Sequence, residues 1–242
     1  MSAQTPGELF RHWARVMRAR VEYNEVRKDS LFKLIPVSLA FVYGKTLPSD
    51  ELKRMAGEAL RNHLVIKRTN LNVVNETSLH NTPGIEHLAP LAKAGKGAVI
   101  CGVHLGPYHF MTSAVARAFG EIGIFAAPSF AMRGESWAQA GKALGSNVTV
   151  LPSDHKSSLL RAMRILKRGG AIVIFVDIAN NVGEDTAENT VAIEFMNLPM
   201  RVRIGAAYMS QAAQSPMVYA ATWLGKWGSR HVTFSEPSPP VP

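Results

Sequence analysis

Val99-Ile100-Cys101-Gly102-Val103-His104-Leu105-Gly106-Pro107-Tyr108-His109-Phe110 sets an apolar run, a histidine and a Gly-Pro turn in direct succession. Val99 to Val103 carries no charge and reads as a buried strand. Gly106 fits the N-cap of a following helix, and Pro107 its first position, where the missing N–H costs nothing. His104 is thereby placed at the carboxyl end of a strand. In open α/β sheets ligands bind at that edge, beside helix N-termini whose free N–H groups attract negative charge.

Outward from this stretch, strands and helices alternate. The spacing predicts helices over 85–94, 107–119, 137–144, 157–167 and 204–213, and strands over 98–103, 124–127, 148–151, 171–176 and 217–222, with a strand and turn over 191–199. Such alternation implies an α/β fold with a mostly parallel sheet flanked by helices. Upstream, Phe10, Trp13, Val16, Met17 and Val21 recur at helical spacing over 8–28, and Ser49 opens a second helix over 49–68. The expected organisation is a helical N-terminal segment, 1–83, packed on an α/β core, 84–236, with a Pro-rich tail, 237–242, that frays.

The 242 residues suffice for one substantial core, and 47% of them are apolar. The single cysteine, Cys101, lies within the strand run, so it excludes a disulfide inside the chain and multi-cysteine zinc sites, and reads as a packed, inert thiol. A net charge of +9 points to acidic partners: anionic lipid, an acidic carrier protein, a phosphorylated acyl donor or nucleic acid. No nucleic-acid motif accompanies the basic residues from Arg11 to Arg68, which form either a membrane or carrier-protein surface or a solvated helix face. Residues 1–10 lack a basic start followed by an apolar run, and the longest apolar stretch, 34–44, contains Pro36 and falls short of the roughly 20 residues of a spanning helix. The expected location is the cytoplasm.

A histidine followed five positions later by Asp or Glu marks the lysophospholipid acyltransferase superfamily. The chain resembles its lipid A lauroyl/myristoyl acyltransferase branch through Gly84-Ile85-Glu86-His87-Leu88, Gly95-Lys96-Gly97-Ala98-Val99, His104-Leu105-Gly106, Leu166-Lys167-Arg168-Gly169-Gly170, Val176-Asp177 and Glu194-Phe195-Met196-Asn197-Leu198-Pro199, and the likeness fades after Trp223. His109 stands where that family has its acidic residue. The resemblance implies transfer of an acyl group from acyl carrier protein or coenzyme A to a hydroxyl or amine acceptor, lipid or small molecule. The acyl thioester is then a co-substrate, and no metal or other cofactor is needed. The protein would meet an anionic membrane peripherally, at the cytoplasmic face of the inner membrane.

In that chemistry His104 is the general base, His109 its atypical partner and Asp177 a carboxylate that ends another strand and compensates for the exchange. A neutral His109 accepts a hydrogen bond but offsets no positive charge; a plain capping or packing role is its alternative. Arg133 stands where the family has a basic residue and contacts a phosphate or the carrier, or else pairs with Glu135. Gly106, Tyr108, Phe195 and Asn197 complete the candidate substrate-binding set. Arg201 and Arg203 read as solvated charge before phosphate contacts. Ser153-Asp154 reads as a helix cap. Met132, Met163, Met196, Met200 and Met209 either line an acyl tunnel or fill plain core. No metal motif joins His104 to His109. Two other readings remain: an altered relative that binds acyl chains or carriers without transfer, and a thioester hydrolase using His104 on water.

Overall fold

The computed structural model describes residues 48, 50–59, 82–104, 106, 108–127, 138–139, 141–142, 144–176, 190–195, 198–224 and 230–240. The chain divides into two units, residues 1–77 with 224–229 and residues 78–223 with 230–242. In the first, residues 50–59 are helical, and Arg54 bridges Glu51 and Glu58 along one exposed face. The helix expected over 8–28, and the cap and remainder of the one over 49–68, lie outside the described residues.

In the second unit a 3-10 turn, Ile85–His87, leads into α1 (Leu88–Lys93) and β1 (Ala98–Gly102). There follow α2 (His109–Ala118), β2 (Glu121–Ala126), β3 (Asn147–Pro152), α3 (Lys156–Lys167) and β4 (Ala171–Phe175). Next come β5 (Thr190–Phe195), β6 (Leu198–Arg203), α4 (Gly205–Ala213), β7 (Met217–Leu224) and β8 (Arg230–Phe234).

Six strands form one sheet in the order β3-β2-β4-β1-β7-β8. The pairs β3–β2, β2–β4, β4–β1 and β1–β7 are all parallel. This is the α/β architecture, with a mostly parallel sheet, that the alternation implies. All five residues of β1 are buried, as suits a central strand covered on both faces. Connections from β1 to β2 and on to β3 run one way across the sheet, and those from β3 to β4 and from β4 to β7 run the other. Right-handed crossovers therefore put α2 on one face and α3 with α4 on the opposite one.

Burial agrees with that division. Val99 and Cys101 of β1 and Ile172 of β4 share a core with Ile165 and Leu166 of α3 and Met209 of α4. On the other face Phe110, Met111 and Val115 of α2 are at most 1% exposed. Each such side chain contributes about 1.5–3 kcal/mol, which anchors the first turn of α2 firmly against the sheet. Gly102 makes this close packing possible, because a Cβ there would lie 2.6 Å from the Met111 Cε.

Two strands escape sequence reading. β6, Leu-Pro-Met-Arg-Val-Arg, holds a proline and two charges, yet pairs antiparallel with β5 in a separate two-stranded ribbon, where an edge tolerates proline. β8 is rich in polar residues, but its alternate positions, Arg230, Val232 and Phe234, are buried, and the Arg230 guanidinium lies 4.6 Å over the Phe110 ring. Part of the stretch expected to fray is also paired: Ser238 exchanges two backbone hydrogen bonds with Met217, at 2.8 and 3.1 Å. A free strand edge has unpaired N–H and C=O groups, and these satisfy the tail.

Candidate functional site

β1 and β4 are neighbours from which the chain departs in opposite directions, so a crevice opens at their carboxyl ends. His104 lies two residues beyond β1, and Phe175 is the last residue of β4, in register with Gly102. The Val176 N–H donates to the Gly102 carbonyl at 3.0 Å, holding the two exits together.

The loop between β1 and α2 differs in one respect from the expected Gly-Pro cap. Gly106 has φ +61° and an added Cβ would stand 2.6 Å from the Thr222 carbonyl oxygen and 2.8 Å from the Trp223 Cα. The loop thus presses on the end of β7 at a point only glycine fits. Its left-handed conformation delays helix entry, and α2 starts at His109 with Tyr108 as N-cap instead of at Pro107 with Gly106 as N-cap. Gly106 shapes the loop sterically, and Pro107 lies outside the described residues.

Four rings assemble there. The His104 ring lies 4.1 Å from Phe175, tilted by 33°, and 4.7 Å from Tyr108, edge-on at 72°. Tyr108 lies 4.1 Å from His109 and 5.2 Å from Phe175. His104 is exposed to solvent, Tyr108 is partly buried and His109 is only 7% exposed. Burial pushes the His109 imidazole down to about 4, and the charge of His104 presses the same way. Burial also raises the Tyr108 phenol. His109 is therefore neutral at physiological pH. It packs at the floor of the cluster, and a neutral ring at this position does not itself supply the negative charge that a carboxylate there would.

Phe175 has a second neighbour. With Ile174 it borders a cavity of about 760 Å³ at the carboxyl edge of β2, β3 and β4, roofed by the first turns of α3 and α4. Sequence reading did not single out Phe175; an aromatic two residues before the strand-ending Asp177 was the available signal. Nor did it expect the β3–α3 turn here. His155, not Ser153-Asp154, caps α3: its Nδ1 accepts from the Ser157 N–H at 3.2 Å and lies 2.7 Å from the Ser157 Oγ. The first turn of a helix takes whichever acceptor precedes it by the right distance, and a ring nitrogen qualifies.

Of the other predicted residues, Arg133, Asp177 and Asn197 lie outside the described residues, as do Met132 and Met196. Phe195 ends β5 opposite Leu198. Arg203 lines the cavity, whereas the Arg201 Nε donates to the Thr190 Oγ1 at 2.8 Å. Met209 both packs in the core and lines the cavity, and Met163 packs against the core. Cys101 is 4% exposed, and burial pushes its thiol up to about 11. Among the described residues no three His, Cys, Asp or Glu side chains are grouped to hold a metal ion, and no helix is long and apolar enough to cross a membrane.

Comparison with known proteins adds no relative. No family model matches the chain, and no curated protein is significantly similar to it.

Proposed function

We propose that the protein transfers an acyl group from a thioester, on acyl carrier protein or coenzyme A, to a hydroxyl or amine acceptor, with His104 as general base. One observation carries this reading: the exposed His104 ring rests on Phe175, and Phe175 also borders the 760 Å³ cavity. A base open to an acceptor and a cavity of ligand size then share one edge of the sheet. His104 takes the acceptor proton as the oxygen or nitrogen attacks the acyl carbonyl, and returns it to the departing thiol. The net charge of +9 suits an acidic donor and a peripheral approach to an anionic membrane surface from the cytoplasm. The helical N-terminal segment and the acyltransferase-like character of the core belong to the same proposal, resting on the resemblance quoted above.

A specific observation favours a second reading, binding without transfer. His109 is buried and neutral, so it does not itself supply the negative charge that a carboxylate at its position would offer a protonated His104. Thiol release from a panel of acyl thioesters, with and without alcohols and amines, separates the two. Transfer requires acceptor-dependent release that falls about 10²- to 10⁴-fold in His104→Ala. Release independent of any acceptor would make the protein a hydrolase, and release unaltered by His104→Ala would remove the base from the mechanism.

A further inference from the structure

The cavity beside Phe175 has a chemistry of its own. Its walls are largely apolar, with Phe125, Ile174, Leu159 and Met209 among them. Among the described residues of its lining two cations, Lys156 and Arg203, stand against one acid, Asp154, and all three are exposed. Neither cation makes an ion pair with another described residue. Arg203 also immediately precedes Ile204, the N-cap residue of α4, which offers no side-chain acceptor, whereas the corresponding end of α3 is occupied by His155. An apolar wall with exposed cations on one side is matched by a ligand with an apolar body and an anionic head.

We propose that this cavity binds an amphipathic anion: the apolar body lies on Phe125, Ile174, Leu159 and Met209, and a single carboxylate or phosphate head is held by Lys156 and Arg203 at the start of α4. The volume of about 760 Å³ falls within the range of sites that enclose most of a small ligand. The proposal deepens the acyl-transfer reading and rests on it only in supposing that the apolar body is an acyl chain.

The test is displacement of dansyl-aminoundecanoate, a fluorescent amphipathic anion, from the full chain by dodecanoate, dodecyl phosphate and dodecanol, each below its micelle-forming concentration. The probe should bind and both anions should displace it, with the neutral alcohol at least tenfold weaker, the worth of one charge-assisted hydrogen bond. The better of the two anions identifies the head group. Replacing both cations, Lys156→Gln with Arg203→Gln, should weaken the anions about tenfold and leave the alcohol unchanged. Ala127→Phe, at an exposed position on the cavity wall, should block the probe without disturbing the core. Absence of probe binding, equal competition by dodecanol, or indifference to the charge substitutions or to Ala127→Phe would overturn the proposal. Neither thioester nor acceptor is present. Binding without turnover would therefore remove the role of His104 and keep this site, and turnover without binding would do the reverse.

Discussion

Acid should destabilise this protein through His109. Its imidazole is 7% exposed, and burial, with the charge of His104 second, brings it to about 4 from an ordinary 6.5. Above 6.5 both the folded and the unfolded chain hold the ring neutral, and pH has no effect through it. As pH falls below 6.5 the unfolded chain takes up a proton that the folded chain refuses until about 4, so the equilibrium moves toward unfolding. The difference is worth about 2 kcal/mol by about pH 5 and about 3 kcal/mol once both states are protonated. The assay is urea unfolding, followed by circular dichroism, of the wild type and His109→Phe, which keeps a ring in the cluster but cannot titrate. Groups remote from the cluster are common to both proteins, so the difference between their pH profiles reports on His109. The wild type should lose about 2 kcal/mol relative to His109→Phe between pH 7 and pH 5. Parallel profiles, or a ring-proton titration that puts His109 at 6 or above, would refute the account of a buried, neutral imidazole.

Three further outcomes are expected. Gly106→Ala forces a Cβ to within 2.6 Å of the Thr222 oxygen at φ +61°, and should cost at least about 2 kcal/mol in chemical unfolding; a loss under about 0.5 kcal/mol would mean that the loop does not press on β7. Cys101, buried and with its thiol pushed up to about 11, should react with a thiol-specific disulfide reagent only as fast as the chain unfolds, and rapid labelling of the native protein would contradict its packing. On the acyl-transfer reading His109→Asp sets a carboxylate beside His104 and should raise acceptor-dependent thiol release at least about tenfold per folded molecule, while unchanged or lower release would show that His109 is not the limiting partner.

Much of the fold is local information. The uncharged run from Val99, the Gly95-Lys96-Gly97 and Gly169-Gly170 turns, and the three-and-four spacing over Lys156–Lys167 each act within a few residues, so β1, β4 and α3 are legible to within a residue or two. β6 and β8 are not, because a proline, arginines and a histidine mask the strand pattern, although each lies beside the strand just before it in the chain. His104, Tyr108 and His109 are neighbours in sequence, so their proximity is readable too.

By itself, then, the sequence determined an α/β chain with a histidine at the carboxyl end of a buried strand, since strand and turn tendencies are settled by near neighbours. Tertiary structure alone decided that Phe175 backs His104, that Gly106 is wedged on β7, that His109 is buried and neutral, and that a cavity with Lys156 and Arg203 on its wall lies beside them. These depend on strand order and on which side chains exclude water from which others, and both arise from contacts between residues far apart along the chain.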